Sequence, residues 1–230
     1  MTSSISSWAE LPLVGPPVDR PVLVLEGARR DALWSWVLPG RIIGGRIRDR
    51  GAAEHLAPEV VAAASKLGFG LPELGAVIVG LGPGSVTGLR LTVAFAKGVA
   101  CASQCRLVGV PSLPAMLIDA EREDGVAVLE AYAKQVFAAG GDLAADVYLP
   151  EQVRAKIGAR QVVTDGAVPS MPELCEFAFD LRAHGCDTLT GLAVEGLRRL
   201  AAGEESDWKT LAPNYGRPSS AELQMNLKRE

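Results

Sequence analysis

The strongest restriction on how this chain can fold lies in residues 80–90, which read GLGPGSVTGLR. The four residues before this segment, 76–79, are continuously apolar and rich in β-branched side chains, which predicts a short buried strand. After the segment, apolar residues recur at helical spacing from Leu89 to Ala100, and Thr87 is predicted to cap the helix. The sequence therefore predicts a strand, a glycine loop and a helix, a connection used in α/β folds.

This loop has the outline of a phosphate site, because the amides and the positive dipole end of a helix N-terminus bind anions. It departs, however, from both standard templates. A dinucleotide fingerprint requires glycine where Ser85 stands, Pro83 removes an amide donor, and no Gly-Lys-Ser/Thr sequence ends the loop as in a P-loop. The residues alone favour a tight turn that packs the strand against the helix over a generic nucleotide site.

Three successive strands are predicted ahead of the loop, and their order indicates antiparallel pairing. The alternating polarity of the third strand is typical of a sheet edge with one solvated face. The helices and strands that follow predict a mixed sheet with right-handed helical crossovers. The predicted elements are strands at 22–26, 33–38, 41–48, 76–79 and 107–110, and helices at 53–67, 88–103 and 112–121.

The rest of the chain repeats this order in a smaller form, so we expect two structurally related halves, the second reduced. A charged run at 121–125 separates them because it breaks the apolar pattern. The predicted elements of the second half are strands at 126–130, 135–139, 144–149 and 161–164, and helices from about 150, at 171–184 and at 188–202. The predicted division is a flexible extension at 1–20, halves at 21–122 and 123–203, and a C-terminal tail at 204–230.

Composition excludes several classes of protein. A chain of 230 residues with 48% hydrophobic content can bury one sizeable core or two smaller ones. A net charge of −4 provides no global basic field, so strong direct binding of tRNA is not expected. The four cysteines lack paired C-x-x-C spacing, and we expect neither structural zinc nor disulfides. No signal peptide or membrane span is visible, which predicts a cytoplasmic protein.

Three segments of the chain resemble the bacterial TsaB (YeaZ) family, whose members take part in threonylcarbamoyladenosine synthesis on tRNA. These segments are 82–90, 96–100 and 109–113, with Val86 and Pro111 standing where the family usually has Phe and Ser. The weaker landmarks are 54–58, 165–166 and 213–218. The signature residues of the loop are Gly82, Pro83, Gly84, Ser85, Thr87 and Gly88. The resemblance implies an actin-like (ASKHA, ribonuclease H-like) α/β fold of tandem half domains.

The resemblance also implies a function. It indicates a non-catalytic scaffold and activator that binds a TsaD-type transferase, a paralogue that modifies adenosine 37 of tRNA. A TsaE-type ATPase is a further implied partner, and tRNA is contacted only indirectly. Family members can also self-associate when the partner is missing, and the sequence leaves monomer and homodimer open for this chain. The chain itself is expected to need no cofactor, since ATP and Mg²⁺ are handled by the partner complex.

The implied partner surface lies on the two helices of the first half. Their small side chains permit another helix pair to approach closely, near the low end of the usual interaxial distances of about 8–10 Å. Burial of these faces in the chain's own sheet is the competing interpretation. The partner-binding residues predicted on this basis are Leu56, Val60, Ala63, Ala64, Leu67, Leu89, Arg90, Val93 and Lys97.

Catalysis by the chain itself is not expected. Catalytic members of the actin-like superfamily follow an acidic residue at the end of the first strand with a Thr/Ser-rich turn, whereas no hydroxyl follows Glu26 here. Glu26 and Asp165 are the candidates for residual nucleotide or Mg²⁺ binding. His55 is followed four residues later by Glu59, so the two-histidine metal helix of the transferases is absent. The alternatives are a small actin-like ATPase or kinase, and a divergent paralogue that scaffolds another complex.

Overall fold

The first half of the chain forms a six-stranded mixed sheet. The computed structural model describes residues 9–12, 15–29, 31–47, 55–184 and 188–216. The strands of this sheet are β1 (Ala9–Pro12), β2 (Val22–Glu26), β3 (Ala32–Leu38), β4 (Arg41–Ile47), β5 (Ala76–Gly80) and β6 (Arg106–Val110), in the spatial order β1-β4-β3-β2-β5-β6. β2, β5 and β6 run parallel, while β1 to β4 pair antiparallel.

Helices follow the strands of this sheet along the chain. They are α1 (Leu56–Lys66), a short 3-10 helix (Leu71–Glu73), α2 (Val86–Ser103) and α3 (Ser112–Asp119). α1 and α2 cover one face, where their apolar residues form a single core cluster with Trp34, Trp36 and Leu25. The strands and helices predicted for the first half are confirmed, with boundaries shifted by a few residues.

Two expectations about the first half are wrong. β4 is not a sheet edge, because β1 pairs with it antiparallel from Ala9–Gly44 to Pro12–Arg41. Residues 9–12 are therefore a strand rather than part of a flexible extension. The serine-rich residues 1–8 of that extension lie outside the described part of the chain.

The second half forms a five-stranded sheet with the same order of strand directions. Its strands are β7 (Val126–Glu130), β8 (Val136–Gly140), β9 (Leu143–Tyr148), β10 (Val162–Thr164) and β11 (Phe179–Asp180), in the spatial order β11-β10-β7-β8-β9. β7, β8 and β9 form an antiparallel meander, and β10 and β11 extend β7 in parallel. This arrangement repeats that of β2 to β6, so the two halves share one topology, as predicted.

Helices of the second half differ from the prediction in two places. α4 (Pro150–Ile157) lies as expected, but the helix predicted at 171–184 is only the single turn α5 (Pro172–Cys175), followed by the short strand β11. α6 (Thr188–Ala201) packs against α3 and against β2, β5 and β6 of the first sheet. Its apolar face joins Ile78 and Val108 in a core cluster of the first half, although the sequence assigned it to the second.

Candidate functional site

The glycine loop joins β5 to α2 and packs against the turn that follows β2. The amide of Ser85 donates a hydrogen bond to the carbonyl oxygen of Ala28 at 2.6 Å. A Cβ atom on Gly84 would overlap that carbonyl, and a Cβ atom on Gly88 would overlap the carbonyl oxygen of Gly27. These two glycines are therefore required for close approach of the backbones. This is the close packing that the residues alone favoured.

The N-cap residue of α2, which lies in the same loop, differs from the predicted one. Ser85, rather than Thr87, is the N-cap, and its Oγ accepts a hydrogen bond from the amide of Gly88 at 3.3 Å. Thr87 is exposed in the first helical turn. At the other end of the loop, Gly82 has a backbone φ of +88°, which residues with a Cβ atom rarely adopt. The next residue, Pro83, is buried.

A cleft of about 630 Å³ lies between the two halves, and the glycine loop forms part of its wall. The first half contributes Ala28 and Arg29 from the turn after β2 and residues 84–86 from the loop. The second half contributes the ends of β7 and β8 and the segment that follows β10. This volume falls within the range of about 300–1,000 Å³ that is usual for small-molecule sites. The cleft is thus the main candidate for a ligand site.

Glu26, one of the two predicted nucleotide or Mg²⁺ candidates, lies beneath the cleft wall. Its side chain is fully buried, and Oε1 accepts a hydrogen bond from the amide of Ala28 at 2.6 Å. Burial raises the pKa of this carboxyl above its ordinary value, against the opposing effects of hydrogen bonds and the charge of Arg29. The carboxyl therefore holds the turn after β2 in place, and Ala28 and Arg29 form the cleft wall above it.

Asp165, the second candidate, follows β10 and lies between two arginines. It forms an ion pair with Arg29 of the first half, and Arg182 donates to both of its oxygens, from Nε at 2.8 Å and from Nη2 at 3.2 Å. Its side chain is only 1% exposed. Burial favours the neutral carboxyl, but the charges and hydrogen bonds of the two arginines outweigh this and hold the pKa of Asp165 below its ordinary value.

The two arginines are the cleft residues that sequence reasoning missed. Arg29 follows Glu26 in the turn after β2, and Arg182 follows β11. Neither carries a local signal, because arginines in turns are common and their shared partner is distant in sequence. Only the apposition of the two halves brings Arg29 to Asp165.

Six of the predicted partner-binding residues are buried in the chain's own core, so their assignment to a free surface is corrected. The inner faces of α1 and α2 cover the first sheet, which was the competing interpretation. The six residues, each at most 3% exposed, are Leu56, Val60, Ala63, Ala64, Leu89 and Val93. Leu67 is half-buried against the same core, whereas Arg90 is exposed and Lys97 is half-buried.

Among the described residues, the outer faces of these two helices are exposed. On α1, Val61 is 46% exposed and Ala62 lies beside it, one turn before Ser65. On α2, the exposed positions recur every three or four residues and carry mostly short or apolar side chains. They are Leu91, Ala94, Gly98, Cys101 and Ala102, with Thr87 and Arg90 at the N-terminal end.

Metal ligands do not cluster in the described part of the chain, where no group of three or more His, Cys, Asp or Glu side chains could hold an ion. His55 precedes α1 and is exposed. Cys101, Cys105 and Cys175 are free thiols, and Cys186 lies outside the described residues. None of the helices described has the length and continuous apolarity needed to cross a bilayer.

Fold and cleft together define the class of this protein. Two mixed sheets of the same topology, joined across a cleft, form an actin-like (ASKHA, ribonuclease H-like) α/β structure. A solved structure of YeaZ from Pseudomonas aeruginosa superimposes with a TM-score of 0.71 at 21% identity, covering 85% of this chain and 99% of that one. A second structure from the same organism, described as an uncharacterized protein with similarity to peptidase YeaZ, gives 0.70 at 22% identity, with coverage of 86% and 100%.

Sequence comparisons match part of the chain to proteins of threonylcarbamoyladenosine synthesis. The family model described as TsaD, tRNA N6-adenosine threonylcarbamoyltransferase, matches residues 46–158. The tRNA threonylcarbamoyladenosine biosynthesis protein TsaB of Escherichia coli K12 is 30% identical over 105 residues, 46% of this chain and 42% of that protein. The matched region thus spans less than half the length of this curated relative. Taken together, these findings confirm the resemblance to the TsaB (YeaZ) family.

Proposed function

We propose that this chain is a non-catalytic scaffold and activator subunit in the synthesis of N6-threonylcarbamoyladenosine on tRNA, and that it binds a TsaD-type transferase. The family resemblance supports the pathway. The open outer faces of α1 and α2 support the mode of binding, because side chains as short as Ala94 and Gly98 let a second helix pair approach closely. A TsaE-type ATPase is a further candidate partner, and tRNA is reached through the transferase.

A non-catalytic role is supported by the state of the two acidic candidates. Glu26 is buried under the turn after β2, and Asp165 is held by Arg29 and Arg182. Oε1 of Glu26 and both carboxylate oxygens of Asp165 already have partners within the chain, so the chemistry of threonylcarbamoyl transfer is assigned to the partner.

The docking surface is tested by an arginine substitution at its centre. We expect the protein to capture the TsaD-type transferase of its source organism, and Ala94→Arg to weaken binding at least tenfold, about 1.4 kcal/mol, because a long charged side chain holds the helices apart. Ala155→Arg is the matched control, since Ala155 is an exposed alanine on α4 of the other half. Isothermal titration of the three proteins measures the difference.

Two outcomes count against this proposal: the first ends it, and the second ends only the assignment of the docking surface. One is an absence of association together with unchanged tRNA modification after the chain is depleted from cells. The other is equal binding by the wild type and Ala94→Arg, which would move the interface away from α2. Self-association of the isolated wild type through the same surface would be abolished by the same substitution.

The cleft keeps one alternative function open, that of a small actin-like ATPase or kinase, because its volume of about 630 Å³ suits a small molecule. Titration of the isolated protein with Mg-ATP separates the two. Measurable binding and turnover would favour the alternative, whereas no heat and no phosphate release are expected for a scaffold.

A further inference from the structure

The chain's last described residues cross from one half to the other at the mouth of the cleft. We call residues 211–216 the strap. On the first half, Leu211 packs against the core and its carbonyl oxygen accepts a hydrogen bond from Nζ of Lys97 at 2.8 Å. The amide of Asn214 then donates to the carbonyl oxygen of Leu81, beside the glycine loop, at 2.7 Å. The strap is thus fixed to α2 and to the end of β5.

The strap also contacts the second half. Nδ2 of Asn214 donates to the carbonyl oxygen of Ala145 on β9, and Oδ1 of Asn214 accepts from the amide of Gly216 at 2.8 Å. Gly216 is buried so tightly that an added Cβ atom would lie 2.7 Å from the ring of Phe137 on β8 and 3.0 Å from Pro83 of the glycine loop. One short segment therefore touches both halves.

A second connection between the halves lies at the cleft wall. Arg29 of the first half and Asp165 of the second form an ion pair in which the side chains are 6% and 1% exposed. Arg182, which also belongs to the second half, forms a second ion pair with Asp165. Removing one partner of a buried pair leaves an uncompensated charge, which favours separation and entry of water.

We infer that the strap and the Arg29–Asp165 pair form a two-point clamp that sets how far the cleft opens. The two points lie on the same cleft, since Arg29, Asp165 and Tyr215 of the strap all line it. Each half has a core cluster of its own, while α3 and α6 pack against each other and against the two sheets. Loosening a point therefore lets the cleft widen without unfolding either sheet. The clamp acts on the cleft itself and does not depend on the proposed partner.

Hydrogen exchange followed by mass spectrometry tests the clamp in the full-length chain. We expect Asp165→Asn to speed exchange at least fivefold in peptides that cover the turn at 27–29 and the helix start at 84–88, which belong to the other half. Asn214→Ala breaks the strap instead and is expected to speed exchange around Leu81 and Ala145. Peptides from the centre of the first sheet should remain as slow as in the wild type.

Glu173→Gln is the matched control. It neutralises an ion pair with Arg154 inside the second half, where both side chains are about half exposed, and it should leave cleft exchange unchanged. The inference is overturned if neither clamp variant alters exchange at the cleft, or if exchange rises uniformly through both sheets, since that pattern indicates global destabilisation. Should Asp165→Asn fail to fold, Asn214→Ala decides the outcome alone.

Discussion

At the level of single residues, the acidic side chain at the end of β2 supports the backbone of the turn that follows it. Glu26 is fully buried, and its carboxylate fixes the amide of Ala28. The turn it supports then carries Arg29 into the ion pair across the cleft. A residue type that suggests metal binding in the sequence is, in the folded chain, a support for its neighbours.

Burial of Glu26 predicts a distinct pH dependence of stability. The pKa of this carboxyl is raised on folding, so the folded protein holds the proton more tightly than the unfolded chain does. Its contribution to stability is therefore present below the unfolded pKa, near 4.5, and is lost as pH rises above it. Glu26→Gln keeps the acceptor for Ala28 without the charge, and we expect its stability relative to wild type to improve between pH 4.5 and pH 7.

Urea denaturation across this pH range measures the effect. Glu123→Gln is the control, because it makes the same substitution at a position that is exposed in the connection between the halves. A difference between Glu26→Gln and the wild type that does not change with pH would contradict the role of burial.

At the level of elements, α2 serves two surfaces at once. Its inner face completes the core with Val93, Ala96 and Ala100, and its outer face is lined by short side chains. Its N-terminal turn lies directly on the turn after β2. The glycine loop therefore provides the close contact between α2 and the turn after β2, and the proposed partner surface lies on the outer face of the same helix.

Two glycines of α2 allow the contribution of its packed N-terminal turn to stability to be measured. Gly88→Ala places a methyl group against the carbonyl oxygen of Gly27, and we expect a loss of about 1–3 kcal/mol in the free energy of unfolding. Gly98→Ala is the control in the same helix, since nothing lies within 4 Å of its added Cβ atom. There we expect a gain of about 0.5–1 kcal/mol from helix propensity. Equal effects of the two substitutions in urea denaturation would refute the packing role of the loop.

At the level of the whole molecule, two sheets of one topology are joined by more than a linker. α6 returns from the second half to cover the first sheet, and the strap crosses back at the cleft mouth. These crossings explain how a reduced second half is held in a fixed place beside the first. Within the described part of the chain, the outer faces of α1 and α2 remain exposed.

The net charge of the whole chain predicts that it binds tRNA weakly in isolation. With a net charge of −4, the isolated chain should bind tRNA more weakly than the dissociation constants of about 10⁻⁴–10⁻⁶ M that are typical of nonspecific nucleic-acid binding. Filter binding at several salt concentrations measures this, with the transferase complex as the positive control. Micromolar binding by the isolated chain with a steep salt dependence would contradict indirect contact.

Local patterns in the sequence were sufficient for β2 to β10, for α1 to α4 and for the glycine loop, because the hydrophobic period and turn residues that specify these elements lie close together along the chain. They also predicted the shared topology of the halves. They missed the strands β1 and β11, which lie in segments predicted as an extension and a helix. The sequence pattern did not reveal that β1 covers β4, that α6 packs on the first sheet, or that Arg29 meets Asp165. Each of these contacts joins segments that are far apart in sequence. A local sequence pattern therefore does not identify which two segments come together. The same reason applies to α1 and α2. An apolar stripe in the sequence predicts that one face of each helix is buried, but only the packing of the helix on the first sheet shows which residues are exposed.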